Sequence, residues 1–95
     1  MLTSKERANL RAKAHHLNAI FHVGKEAVSP PFVAGVRDAL EARELIKINV
    51  LDNCELEVAT AAEMTASRSG AEIVQIIGRK FVLYKKSKSI KEGIL

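Results

Sequence analysis

The sequence has little of several residue types, and each shortage narrows what the chain can be. Its 95 residues include one cysteine, two prolines and no tryptophan. The single cysteine, Cys54, has no partner for an internal disulfide, so the fold must rest on a hydrophobic core. No stretch reaches the about 18 apolar residues of a membrane span, and none resembles a signal peptide. We therefore expect a cytoplasmic chain without a membrane segment.

Aromatic residues and catalytic motifs are scarce as well. Aromatics make up 4% of the chain, too few for the base-stacking platform of an RRM. The sequence has no Walker loop, no nucleophile elbow and no clustered spacing of metal ligands. We predict no enzyme activity, no cofactor and no metal site. The less favoured alternative is RNA cleavage in which His15, His16 or His22 acts as general acid or base with Glu26.

The residues that are plentiful indicate one domain with an uneven charge distribution. The hydrophobic content of 47% supports a core in a chain of this length. Residues 1–25 carry five Lys or Arg against one acidic residue, residues 26–78 four against nine, and residues 79–95 six against one. If the two basic ends converge in space, they form one positive face, which is typical of a nucleic-acid binder. A solvated tail beside an ordinary charged helix is the alternative.

Hydrophobic periodicity predicts seven elements in the order αβαβαββ. They are a helix from Thr3 to about His16, a strand at 19–23, a helix after Ser29, a strand at 45–51, a helix at about 55–69, and strands at 72–77 and 80–85. The first helix is expected to begin with a capping box of Thr3 and Glu6, and to bury Leu10, Ala14 and Leu17.

Local signals place the ends of the other elements. Ser29 before Pro30 predicts a helix N-cap, Asp52-Asn53 predict caps for the third helix, and Gly70 predicts its left-handed end. The inward face of that third helix is predicted at Val58, Ala59, Ala62 and Ala66. Gly78-Arg79 is predicted to be the tip of a type II′ hairpin.

These elements predict a two-layer α/β domain with a mixed four-stranded sheet whose last strand is antiparallel. Two right-handed crossovers would pair the first three strands in parallel and place both crossover helices on one face. The apolar first strand is expected to be covered on both faces or to lie in the sheet interior. We assign residues 1–86 to the domain and residues 87–95 to a basic, flexible tail.

The stretch from His22 to Pro31 has the pattern of a binding loop. A short strand ends at a glycine turn, and a helix starts at Ser29-Pro30. A helix N-terminus presents unpaired N–H groups and the positive end of its dipole, and Lys25 adds a full charge. The predicted ligand is a phosphate.

Several segments together resemble a known family. They are Leu2-Thr3 with the basic first helix, Ala14-His15-His16-Leu17, Ile20-Phe21-His22-Val23-Gly24-Lys25, residues 39–47, Gln75-Ile76-Ile77-Gly78 and Val82-Leu83-Tyr84. Over roughly residues 2–88 they resemble the bacterial YhbY family of single CRM domains (chloroplast RNA splicing and ribosome maturation). The resemblance implies a fold like the C-terminal domain of a translation initiation factor.

The resemblance also implies RNA binding. Single-domain bacterial members associate with precursors of the large (50S) ribosomal subunit, whereas related plant domains act in group II intron splicing. The family's GxxG loop, similar to the loop that clamps nucleic-acid backbone in KH domains, falls on Gly24-Lys25-Glu26-Ala27. Ala27 replaces the second glycine. If that position requires positive φ, the added Cβ costs about 1–2 kcal/mol.

We therefore predict an RNA-binding ribosome assembly factor that is monomeric when free. The predicted RNA-binding residues are Gly24, Lys25, Glu26, Ala27, Arg7, Arg11, Lys13, His22, Arg79, Lys80, Lys85 and Lys86. The alternative is a protein-interaction module that docks on ribosomal proteins through the sheet or the acidic helix.

Overall fold

A computed structural model describes residues 2–90 and 92–95 and places seven elements in the predicted order. They are α1 (Ser4–Ala14), β1 (Ala19–Val23), α2 (Pro30–Arg43), β2 (Leu45–Val50), α3 (Val58–Ser69), β3 (Glu72–Ile77) and β4 (Lys80–Tyr84). Met1, assigned to the domain, and Lys91, assigned to the tail, lie outside the described residues.

The four strands form one mixed sheet in the order β1-β2-β4-β3. β1 runs parallel to β2, and β4 runs antiparallel to both β2 and β3. The mixed sheet with an antiparallel last strand is thus confirmed. The prediction that the first three strands pair with one another is wrong, because β4 lies between β2 and β3. Phe81, Val82 and Leu83 of β4 are all fully buried, so this strand needs covered faces on both sides.

β1 lies at an edge of the sheet, which corrects the prediction that it lies inside. β2 pairs with β4 on one side, so only its other side remains for β1. Exposure alternates along β1, with Ile20 and His22 exposed and Val23 buried. The apolar run is therefore covered on one face only.

Helices cover both faces of the sheet. α2 and α3 pack on the face that includes Ile46, Ile48 and Phe81, where the main core cluster lies. α1 packs on the opposite face, where Leu10 and Ala14 join a second cluster made with Leu45, Val74 and Val82. The predicted buried stripe of α1 is confirmed for these two residues, while Leu17 is half-buried. α1 adds a third layer that the two-layer prediction lacked.

Local interactions fix the helix ends largely as predicted. Glu6 N donates to Thr3 Oγ1 at 3.1 Å and Thr3 N donates to Glu6 Oε1 at 2.9 Å, so the capping box is present. The backbone and side-chain hydrogen bonds from Thr3 hold the pKa of Glu6 below its usual value. Ser29 caps α2 by accepting from Phe32 N, and Gly70 ends α3 at φ +72°.

The start of α3 differs from the prediction. The helix begins at Val58 after Glu57, whose side chain makes no capping hydrogen bond, so Asp52-Asn53 do not cap it. Its buried face includes Ala61 and Thr65, whereas the predicted Ala59 is exposed. Thr65 satisfies its buried hydroxyl by donating to Ala61 O at 2.7 Å.

The C-terminal segment is packed on the domain rather than extended into solvent. Ser87 is 5% exposed, and its backbone N–H donates to Glu44 Oε2 at 2.7 Å. Ile94 N donates to Glu44 Oε1 at 2.7 Å, and the Ile94 side chain packs on the cluster beside α1. We call residues 85–90 and 92–95 the C-terminal strap. The prediction of a basic, flexible tail did not include these contacts with Glu44 at the C-terminal end of α2.

Candidate nucleic-acid interface

Residues 24–27 form a tight turn between β1 and α2, which we call the Gly24 turn. Ala27 N donates to Gly24 O at 2.9 Å, and this bond closes a four-residue β-turn. Lys25 and Glu26 occupy its tip and are both exposed. Their opposite charges cancel locally, so any preference of this turn for an anion depends on where each side chain points.

Gly24 is closely packed and does not have a left-handed backbone angle. The left-handed glycines in the described residues are Gly70 and Gly78, not Gly24. A Cβ added to Gly24 would lie 3.3 Å from Asn53 Oδ1 and 3.4 Å from Leu51 Cδ1. The glycine therefore lets the turn lie against the loop that follows β2.

Ala27 holds the left-handed conformation that its position requires, with φ +53°. The sequence predicted strain if this position required a positive φ, and it does. The strain arises because the Cβ of an L residue crowds the following carbonyl in this region. The left-handed conformation of Ala27 costs about 1–2 kcal/mol of free energy.

Residues 30–33, the first turn of α2, offer no free backbone donor, so the anion site predicted at this helix start lacks the N–H groups of that turn. Pro30 and Pro31 lack N–H groups. The next two groups are already used, because Phe32 N donates to Ser29 Oγ and Val33 N donates to Ser29 O. Backbone donors for a phosphate must come from the turn itself, where Lys25 and Glu26 N–H have no acceptor among the described residues.

Two arginines that the sequence did not single out support the entry to α2. Arg68 of α3 donates from Nη1 to Val28 O at 2.8 Å. Arg37 of α2 donates from Nη2 to Arg68 O at 2.6 Å. The partners are 40 and 31 positions apart, so no local pattern marked them.

The hairpin tip, Gly78-Arg79, lies at the same end of the sheet as the Gly24 turn. Gly78 has φ +58° while Arg79 has no positive φ, as the predicted type II′ turn requires. Leu51 N donates to Val23 O at 2.8 Å just before the Gly24 turn, and Val50 N donates to Arg79 O at 2.7 Å. The end of β2 therefore joins the two loops.

Arg79 makes hydrogen bonds within the protein at the end of β2. Its Nε donates to Val50 O at 3.0 Å and its Nη2 donates to Leu51 O at 2.9 Å. The same Nε lies 3.3 Å from Asp52 Oδ1. The guanidinium covers carbonyls at the end of β2, whereas neighbouring Lys80 is exposed and has no side-chain partner among residues 2–90 and 92–95.

Among the predicted basic residues of α1, two donate to backbone carbonyls and one has no protein partner in the part of the chain that the structure describes. Arg7 donates from Nη1 to the carbonyls of Ile73 and Val74, where β3 has a register irregularity. Lys13 donates to Ile94 O in the C-terminal strap. Arg11 is exposed and has no recorded side-chain partner in the described chain.

Lys85 and Lys86 lie at the opposite end of the sheet from the Gly24 turn. β4 ends at Tyr84, which pairs with Leu45 at the start of β2, whereas Val23 pairs with Val50 at its end. Six residues of β2 separate the two ends by about 17 Å. Lys85 Nζ also lies 3.4 Å from Ser69 O. The condition for a single positive face, that the two basic ends converge, is therefore not met for these two lysines.

A row of side chains crosses the sheet on the α1 face, next to the turn. His22 pairs with Asn49, Asn49 with Lys80, and Lys80 with Ile77, so one residue from each strand contributes. We call these four residues the sheet row. His22, Lys80 and Ile77 are exposed, and Asn49 is half-buried.

In the described residues, the side-chain contacts of the three histidines involve one another and Asn49, not Glu26. His15 and His16 contact each other edge to face at 5.4 Å between ring centres, and His22 Nδ1 lies 3.4 Å from Asn49 Nδ2. Residues 2–90 and 92–95 contain no group of three or more His, Cys, Asp or Glu placed to hold a metal. None of their helices is long and apolar enough to cross a membrane.

The family model of the CRS1/YhbY (CRM) domain matches residues 2–85. The chain belongs to this family. The match covers all seven elements, from α1 through β4, and confirms the family that the sequence segments indicated.

Relatives of this CRM domain align along almost its whole length. "Probable RNA-binding protein YqeI" of Bacillus subtilis is 49% identical over 92 residues, which cover 97% of this chain and 96% of that protein. "Probable RNA-binding protein MJ0652" of Methanocaldococcus jannaschii is 36% identical over 96% of this chain and 69% of its own. A Haemophilus influenzae protein named as an RNA-binding protein is 30% identical over 95% and 91%.

A solved structure has the same fold. The solution structure of SAV1595 from Staphylococcus aureus matches 100% of this chain and 99% of its own with a TM-score of 0.81. The two sequences are 39% identical. The predicted fold class, three helices with a four-stranded mixed sheet, is confirmed by this likeness.

Proposed function

We propose that this CRM domain is a non-enzymatic protein that binds RNA through the end of the sheet that carries the Gly24 turn. The observation that carries the proposal is the pair of exposed cations Lys25 and Lys80 at that end, together with the exposed Arg11 on the last turn of α1. Lys25, Arg11 and Lys80 are exposed, and their side chains have no protein partner in the described chain. Cations that are free of protein acceptors are available to replace the counterions of a phosphate backbone.

The Gly24 turn supplies backbone donors to the same surface. The N–H groups of Lys25 and Glu26 are unused by the described protein, and the same exposed tip carries the Lys25 side chain. Backbone N–H groups and Lys side chains are common phosphate ligands. This arrangement agrees with the names of the relatives, which refer to RNA binding.

The RNA we propose is large-subunit ribosomal RNA in 50S precursor particles, and the support is the resemblance to single-domain bacterial family members. In this role the protein works in the cytoplasm and is a monomer before it binds. Crosslinking followed by sequencing of the bound RNA identifies the target, and sucrose-gradient sedimentation identifies the particle. Recovery of crosslinks mainly from other RNAs would contradict the ribosomal assignment but not RNA binding.

Affinity for structured RNA, measured against salt concentration, tests the proposed surface. Lys25→Gln should weaken binding and reduce the slope of log K against log salt by about 1. Lys86→Gln is the matched control, because Lys86 is equally exposed and lies at the far end of the sheet. We expect the control to bind like the unchanged protein.

Two results would overturn the proposal. A protein that does not bind structured RNA at any salt concentration is not an RNA-binding protein of this kind. A protein that binds RNA with equal losses in the Lys25→Gln and Lys86→Gln variants does not use the Gly24 end preferentially. Binding to protein-free large-subunit RNA separates direct RNA recognition from docking on a ribosomal protein.

A further inference from the structure

α1 leaves one end of its sheet face uncovered, and the sheet row lies there. The helix ends at Ala14, and His15 borders a surface cavity of about 440 Å³ whose floor includes Asn49, Lys80 and Ile77. Strands lie about 4.8 Å apart, so the row from His22 to Ile77 spans about 14 Å. The cavity volume falls within the about 300–1,000 Å³ of small-ligand sites.

The charge of this area favours an anionic occupant. Lys47 and Lys80 both line the cavity, and neither ammonium has a protein partner among the described residues. No carboxylate side chain appears among the described residues that line it. Arg11 lies one helical turn before His15 on the same side of α1 and is also exposed.

Two residues of the row provide contacts that suit a nucleobase rather than a phosphate, namely an apolar surface and an amide group. The side chain of Ile77 is 55% exposed, which offers an apolar surface beside the lysines. Asn49 makes one recorded side-chain contact, the 3.4 Å approach of its Nδ2 to His22 Nδ1, so its Oδ1 is free in the described chain. An amide presents a donor and an acceptor together, which matches a base edge.

We propose that the sheet row binds an unpaired nucleotide of the RNA, with Ile77 against the base, Asn49 at the base edge, and Lys80 at the phosphate. The inference rests on the proposed function and extends it from backbone binding to recognition of single-stranded RNA. The row adjoins the Gly24 turn, because His22 is two residues before Gly24. One RNA strand can therefore contact both.

An unpaired segment suits this surface better than a duplex. A regular RNA duplex keeps its bases stacked and paired, so Ile77 and Asn49 would gain no partner from it. Splayed bases expose both a flat apolar face and a hydrogen-bonding edge. The row supplies partners for both without a phenylalanine, tyrosine or tryptophan.

The test compares affinities for two RNA probes, measured by fluorescence anisotropy. One probe is a single-stranded RNA of about eight nucleotides of adenine, cytosine or uracil, and the other is a blunt duplex of similar length. Asn49→Ala and Ile77→Ala should each weaken single-strand binding by about three- to tenfold and leave duplex binding unchanged. Ile76→Ala is the matched control, because Ile76 is 43% exposed and pairs with Phe81 on the other face of the sheet.

The outcomes separate this inference from the proposed function. If the unchanged protein binds structured RNA but not the single-stranded probe, only the sheet row is overturned. If it binds no RNA at all, both fail. If it binds RNA but Ile77→Ala equals Ile76→Ala on the single strand, or loses both probes equally, only the sheet row is overturned. A row that serves a protein partner would leave both RNA affinities unchanged, which also overturns the inference.

A direct measurement guards against a variant that folds poorly. Titration of the unchanged protein with the single-stranded probe should shift the NMR signals of the Asn49 side-chain amide and the Ile77 methyl groups more than those of Ile76. Equal or absent shifts at Ile77 would contradict the proposal whatever the variants do.

Discussion

Ala27 donates its backbone N–H to the Gly24 carbonyl at 2.9 Å while its own φ is +53°. The two residues therefore hold a turn whose last position suits glycine better than alanine. The strained residue lies at the proposed RNA-binding end, and its neighbours Lys25 and Glu26 are exposed at the tip.

Replacement of Ala27 by glycine should stabilise the protein. Removal of the Cβ relieves about 1–2 kcal/mol of left-handed strain, and the greater freedom of glycine in the unfolded chain offsets about 0.5–1 kcal/mol of this gain. We expect the free energy of unfolding to rise by about 0.5–1 kcal/mol in urea denaturation.

Ala34→Gly is the control for this substitution. Ala34 is exposed within α2, where glycine costs about 1 kcal/mol relative to alanine. A destabilised Ala27→Gly variant would contradict the positive φ at Ala27. Tighter RNA binding by this variant would indicate that alanine weakens the turn's grip, whereas unchanged binding would show that the second glycine is dispensable.

Glu44 should stabilise the C-terminal strap through one buried and one partly buried hydrogen bond. Its side chain is 1% exposed, and its two oxygens accept from Ser87 N and Ile94 N. Glu44→Gln replaces one acceptor with a donor that faces an N–H group. We expect a loss of about 1–3 kcal/mol in unfolding free energy and faster amide exchange at Ser87 and Ile94.

Glu63→Gln, on the exposed side of α3, provides the comparison for Glu44. It should change stability by less than about 0.5 kcal/mol. Unaltered amide exchange at Ser87 in Glu44→Gln would show that the strap does not depend on this carboxylate.

Glu41 should make the strap sensitive to acid. Hydrogen bonds from the side chain of Ser89, then that of Ser87, and from the Ser89 and Lys88 backbone hold the pKa of Glu41 below its usual 4.5. A carboxyl group whose folded pKa is depressed contributes stability above its unfolded pKa, and this contribution is lost as the pH falls through the lower, folded value.

Amide exchange and NMR shifts at Lys88 and Ser89 check this prediction. Between about pH 6 and about pH 3 we expect the strap to loosen only below the unfolded pKa of Glu41. Glu41→Gln should remove this pH dependence at Ser89, and Glu55→Gln, at an exposed site before α3, should retain it. Loosening that begins well above pH 4.5 would contradict the assignment to Glu41.

Arg79 and Lys80 are adjacent basic residues with different predicted effects. Arg79→Ala removes donors to Val50 O and Leu51 O, so we expect a loss of about 1–3 kcal/mol in unfolding free energy. Lys80→Ala, which breaks no recorded side-chain contact, should change stability by less than about 0.5 kcal/mol but weaken RNA binding. Equal losses of stability in the two variants would contradict the division of roles.

The sequence by itself determined the local structure, because local structure depends on neighbours in the chain. The Thr3-Glu6 capping box, the Ser29 cap, and the glycine turns at Gly70 and Gly78 all form between residues a few positions apart. Element order, element type and family membership follow from such patterns. Two local predictions failed: Asp52-Asn53 do not cap α3, and the helix start after Ser29 lacks free N–H groups at Pro30 and Pro31.

The tertiary structure decided the strand order and the availability of each basic residue. Burial on both faces of β4 placed it between β2 and β3 and left β1 at the edge. Arg7, Lys13, Arg79 and Lys85 donate to backbone carbonyls 16 to 81 positions away, whereas Lys25, Arg11 and Lys80 keep their charge free. The sequence does not distinguish the paired cations from the unpaired ones, because the carbonyl partners come close only when the chain folds.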